Sequence, residues 1–179
     1  MPRLPYIPAK DFADAYPELA ARNEDAFSYL AHSLDGTRAL LKLGIYIRDG
    51  SQLDPRLREL AVLEVARSLG SAYAFYNHIE IGQQRARLTD EDVDALIAGG
   101  KSSPLNQLER SVIAMARQMT KDIRVDQAVF GFLEQALGRE QLVDLALLIG
   151  YYNNVVRVVA CLEVDLESRH ADRVRRFPI

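Results

Sequence analysis

The chain has 179 residues, 49% of them hydrophobic and 26% charged, with a formal net charge of −3 and a pI near 5.7. That length suits one domain with a real core. The acidic balance excludes a general field for attracting nucleic acid or an anionic membrane. One cysteine, Cys161, excludes an internal disulfide framework and any CxxC metal or redox motif.

Prolines at 2, 5 and 8 predict an extended arm over residues 1–10. The arm has no apolar signal core, so a cytoplasmic protein is expected. Residues 22–34 and 36–48 carry helical spacing, with Asp35-Gly36 as the expected break. "LDPRLRELAVLEVARSLG" reads as a helix with Asp54 as N-cap, Pro55 at the first turn and Gly70 as a left-handed stop. Ser71 caps the next helix, which runs to about Arg87. Thr89 opens another, stopped by Gly99-Gly100, and Asn106 with Glu109 suggests a capping box.

Residues 126–137 form a shorter helix ending at Gly138, and 139–167 read as one long helix. Its stretch "LALLIGYYNNVVRVVACL" has the length of a membrane span, but Asn153, Asn154 and Arg157 interrupt it. A buried core helix is the expectation, with no membrane. The arginine-rich end, 168–179, reads as a solvated or subunit-docking tail. No segment alternates as a strand does, so the fold class is an all-α helical bundle in one domain, 1–179.

Two features carry candidate chemistry. About Gly70 the flanking helices form an antiparallel hairpin, with Glu59 eleven residues before the turn and His78 eight after. At ~1.5 Å per residue they lie about 16 and 12 Å from it, within one helical turn of each other. Glu59 shares an apolar lane with Val62, Leu63 and Ala66, where an unpaired carboxylate is costly. His78, in a lane with Ser71 and Ala74, is the facing partner, and the pair is a usable proton relay. A satisfied core histidine, with Glu59 paired to Arg58 or Arg67, is the plain alternative.

The second feature is the lane Gly150, Asn154, Arg157 and Cys161, whose polar groups need a partner. An anionic ligand would suit the arginine, and another helix or subunit would serve equally. No metal is expected: His32, His78 and His170 are scattered, and the ExxH pair Glu167–His170 reads as a surface ion pair.

"LRELAVLEVARSLGSAYAFYNHIEIGQQRARLTDEDVDAL", "ERSVIAMARQMTK" and "LVDLALLIGYYNNVVRVV", in this order, resemble the carboxymuconolactone decarboxylase-like family in its alkylhydroperoxidase D-like branch. The redox motif of that branch is a glutamate, a CxxC twelve residues on and a histidine four past it. Glu59 and His78 match the glutamate and histidine, while Ser71 and Ala74 stand at the cysteine positions.

The resemblance therefore implies an alkylhydroperoxidase D-like helical bundle and a homo-oligomer, a trimer or hexamer. Without the two sulfurs it does not carry a peroxidase, because thiolate attack and resolution need them. Cys161 is expected to be an inert buried thiol. The family's decarboxylases imply instead a cofactor-free lyase, decarboxylase or isomerase on a small carboxylated or lactone-type ring compound. His78 would shuttle the proton and Glu59 would orient it. Ser71, Tyr73, Asn154 and Arg157 are the substrate-binding candidates. A catalytically silent binding or assembly member of the fold is the alternative.

Overall fold

The computed structural model describes residues 2–21, 25–100 and 104–179, and those residues hold helices and no strand. Their order is α1 (Pro17–Ala20), α2 (Asp25–Leu30), α3 (Leu34–Ile45), α4 (Pro55–Ser68), α5 (Ala72–Arg85), α6 (Asp90–Ile97), α7 (Gln107–Lys121), α8 (Gln127–Cys161) and α9 (Ala171–Arg176).

α4 is the centre of the bundle. Every residue from Glu59 to Ala66 is buried, because α5, α7 and α8 cover it on all sides. Leu60 and Leu63 are fully buried, and each such leucine stabilises by about 1.5–3 kcal/mol. Two ion-pair groups fix α7 parallel to α4. Arg56 donates to Glu109 at 2.6 Å near both N-termini. Eight residues on in each helix, Arg117 donates to Glu64 at 2.8 Å. Arg56 also forks onto Asp92 of α6, and this bonding to Asp92 leads the rise in its pKa.

Local chemistry sets the helix ends where the sequence places them. Asp54 accepts from Arg56 N, and Pro55 opens α4. Gly70 has φ +67°, and Ser71 N bonds back to Ala66 O in a Schellman closure. Thr89 with Asp92, and Asn106 with Glu109, form capping boxes.

Three expectations change. The break at Asp35-Gly36 is absent; the chain bends two residues earlier, at Ser33 (φ −135°, ψ 76°), and Gly36 lies inside α3. Residues 22–24 of the first predicted helix lie outside the described residues. The last long helix stops at Cys161 rather than 167, because Glu163 turns left-handed (φ 52°) and Val164 N closes back on Val159 O. The arginine-rich tail is exposed along most of its length, as a solvated tail would be, but it is anchored on the bundle. Phe177 is 2% exposed, its carbonyl accepts from Tyr76 Oη at 3.0 Å, and Arg176 forks onto Asp94.

α8 is long and apolar enough to cross a membrane by length and composition. In the bundle it is a core helix on one face: Leu142, Leu145, Leu148, Ile149, Val156 and Val159 are buried. Gly138 (φ 75°, ψ 168°) breaks it where the sequence sets the shorter helix's end.

Candidate active site

α4 and α5 run antiparallel about Gly70, and their register brings Glu59 and His78 together. Gly82, one turn past His78, makes room for Leu88 rather than for α4: a Cβ on it would stand 2.6 Å from Leu88 Cδ1 but at an ordinary 3.6 Å from Glu59 Cβ. His78 Nδ1 donates to Glu59 Oε2 at 2.7 Å, and their side chains are 12% and 8% exposed. A carboxylate can only accept, which fixes the proton on Nδ1 and leaves the Nε2 lone pair unused by any described residue. Tyr152 of α8 stacks edge-on against the imidazole, with ring centroids 4.9 Å apart.

This pair lies in the wall of a cavity of about 450 Å³. Its apolar side comes from α2, α3 and α8, including Phe27, Leu40, Leu41, Val155 and Val159. Its polar side comes from Arg58, Glu59, Asn77, His78 and three tyrosines, Tyr73, Tyr151 and Tyr152. A Cβ on Gly44 would meet Tyr151 Oη at 2.5 Å, so glycine there lets α3 close on α8.

Arg58 follows a different path from the other cations of α4. Its Nη1 donates to the carbonyls of Ile47 and Arg48 at 3.2 and 2.7 Å, inside the π-turn Tyr46–Gly50 that follows α3. Its Nε is buried without a hydrogen-bond partner and stands 3.9 Å from Glu59 Oε1. Arg67, the other candidate partner for Glu59, instead binds Glu64.

The remaining sequence candidates separate. Tyr73 lines the cavity and its hydroxyl accepts from Ala26 N at 3.2 Å. Ser71 is spent as the cap of α5, accepting from Ala74 N, and does not line the cavity, whereas Ala74 does. Asn154 and Arg157 stand on the exposed face of α8, away from the cavity, where Arg157 donates to Asn153. Cys161 is exposed at the helix end, not buried as expected.

His170 corrects the surface ion pair. It is fully buried, its Nε2 3.1 Å from Asn77 Oδ1 and 3.3 Å from Glu167 Oε2. Burial lowers its pKa most, with Arg169 adding to the effect. Asn77 thus ties the tail to the residue beside His78.

The fold that positions this pair matches solved structures. One is a protein of unknown function from Agrobacterium tumefaciens, a putative antioxidant defence protein AhpD, with TM-score 0.69 and 16% identity over 78% of this chain and 95% of that one. The chain has the AhpD-like fold. An uncharacterised peroxidase-related protein from Silicibacter sp. TM1040 gives TM-score 0.69 and 18% identity over 89% of this chain and 85% of its own. No protein-family model and no curated protein matches the chain.

Sequence reasoning missed Asn77, Tyr151 and Tyr152, and it named Arg58 only as an ion-pair partner of Glu59, which it is at 3.9 Å. The signal for the tyrosines was present: Tyr152 continues the apolar lane Leu145, Leu148, Ile149, Val156, Val159. That lane, rather than the polar one carrying Asn154 and Arg157, faces inward.

Proposed function

We propose that the protein is a cofactor-free acid–base enzyme, a lyase, decarboxylase or isomerase acting on a small carboxylated or lactone-type ring compound. The observation that carries this reading is the 2.7 Å Glu59–His78 pair in the wall of a cavity large enough for such a molecule. Glu59 holds the ring by Nδ1, so Nε2 is the atom that takes and returns a proton. In an isomerisation Nε2 removes a proton from carbon beside a carbonyl, and the electron pair passes to that carbonyl. The imidazolium then returns the proton to another atom. In a decarboxylation Nε2 first takes a proton from solvent; the electrons of the breaking C–C bond then enter the conjugated carbonyl, carbon dioxide leaves, and the imidazolium gives that proton to the resulting carbanion.

A thiol peroxidase finds no support at the site, where Ser71 and Ala74 replace the sulfurs. We place the protein in the cytoplasm as a homo-oligomer, a trimer or hexamer. The exposed lane Val143, Leu147, Gly150 and Asn154 of α8 would pack against a second copy.

The test is turnover of a panel of carboxylated lactones, followed by mass spectrometry, in wild type and His78→Ala. The expected result is turnover in wild type that His78→Ala abolishes. Turnover indifferent to His78 would refute the mechanism, and a chain that turns over nothing would favour the silent binding reading. Peroxide consumption lost in Cys161→Ser would restore the peroxidase.

A further inference from the structure

The cavity wall holds four arginines, Arg48, Arg58, Arg85 and Arg169, against two glutamates, Glu59 and Glu80, among the described residues. Three of the four are poor candidates for gripping a ligand beside His78. Arg48 forks onto Asp49. Arg169 is held by Glu80 and by Asn77 Oδ1, both at 2.8 Å. Arg85 is exposed, at the last turn of α5.

Arg58 differs. It is adjacent in the chain to Glu59, and its side chain is only 13% exposed. Two backbone carbonyls of the π-turn clamp its Nη1, so the guanidinium is fixed before any ligand arrives. Its buried Nε lacks an acceptor, and Glu59 cannot serve as one at 3.9 Å while its other oxygen is committed to His78. With Nη1 clamped and Nε closed off by burial, Nη2 is the nitrogen of this fixed guanidinium that a cavity ligand can reach, and a carboxylate is the acceptor that suits it.

The lining contributed by α2, α3 and α8 is largely apolar, including Phe27, Leu40, Leu41 and Val155. The cavity thus combines a cation next in the chain to Glu59 with a hydrophobic lining. We infer that Arg58 is the carboxylate anchor of this site, and that its ligand is a monocarboxylate with an apolar body. The inference rests on the acid–base reading above for the role of His78, and it moves the anchoring role from Arg157 to Arg58. With the carboxylate on Arg58, the carbon next to it is presented toward the neighbouring Glu59–His78 pair.

The test measures binding rather than turnover. Cyclohexanecarboxylate and benzoate are compared with their amides by ligand-observed NMR, on wild type, Arg58→Gln, Arg58→Lys and Arg157→Gln. The expected result is that the acids bind wild type at least about tenfold tighter than the amides. That preference falls to near unity in Arg58→Gln, returns in part in Arg58→Lys, and is unchanged in Arg157→Gln. Circular dichroism and the melting temperature of Arg58→Gln check that the π-turn's loss of two bonds has not unfolded the chain. Should it unfold, the wild-type comparison and Arg58→Lys decide.

Equal affinity for acid and amide in wild type, no binding of either acid, or a preference that survives Arg58→Gln would each overturn the inference. An acid preference that depends on Arg58, with no turnover of any carboxylate, would leave the anchor standing and remove the enzyme. Turnover that needs His78 but is indifferent to Arg58 would do the reverse.

Discussion

Glu59 and Glu64 sit five residues apart on the same buried helix, and they differ in what holds them. Glu64 is fully buried and accepts four hydrogen bonds: two from Arg67, one from Arg117 and one from Ser68. Glu59 is 6% exposed and accepts one, from His78. Replacing each by glutamine keeps the shape and removes the charge. In Glu64→Gln two arginines lose their anion, and breaking a buried pair costs about 3–5 kcal/mol. Arg67 and Arg117 are 22% and 28% exposed, so water recovers part of this, leaving about 2–4 kcal/mol.

In Glu59→Gln one bond weakens and Arg58 loses an anion that stands 3.9 Å off and accepts no hydrogen bond from it, while the desolvation of a carboxylate is relieved, so the net cost is about 1 kcal/mol. For a chain of this size the first change lowers the melting temperature by roughly 10 °C and the second by no more than a few degrees. Urea titration of the two variants beside wild type measures the difference. Equal costs, or a larger cost for Glu59→Gln, would show that Glu59 is a structural strut and would refute its assignment to chemistry.

Three further outcomes follow from the same geometry. His170 is surrounded by Glu80, Glu167, Arg169 and Arg173, and its folded pKa lies below its unfolded value, burial being the first cause. The unfolded chain therefore binds more protons, so stability present above about pH 6.5 is lost as pH falls toward the folded pKa. Thermal melts of wild type and His170→Gln should show a flatter acid limb in the variant, and parallel limbs would refute this. Phe177→Ala empties a buried site worth about 3 kcal/mol, so hydrogen exchange across 168–176 should accelerate; unchanged protection would mean the tail is held elsewhere. Leu147 is 42% exposed on the outer lane of α8, and Leu147→Asp should reduce the mass seen by light scattering to that of one chain. An unchanged mass would remove this face from the proposed assembly.

The fold was legible because its signals are local. Caps at Asp54, Ser71, Thr89 and Asn106 and stops at Gly70 and Gly99-Gly100 depend on neighbours a few residues away. The Glu59–His78 pair was legible for the same reason, since one short turn joins its two helices. What stayed hidden depends on distant chain. Arg58 gains meaning only from carbonyls ten and eleven residues back in an unusual π-turn. His170 is buried only because its segment returns to Asn77, 93 residues earlier. On α8 the polar lane drew attention as a site, yet Asn154 and Arg157 are exposed, and the apolar lane with Tyr152 lines the cavity. Polarity inside an apolar run marks either a ligand or a surface, and only packing decides between them.

The proposed enzyme requires the Glu59–His78 pair to move protons. The direct measurement is deuterium incorporation from D2O into the carbon beside the carbonyl of a bound carboxylated lactone, in wild type and His78→Gln. Exchange is expected in wild type, reduced by about 10²-fold or more in His78→Gln. No exchange in wild type, or exchange undiminished without His78, would contradict it.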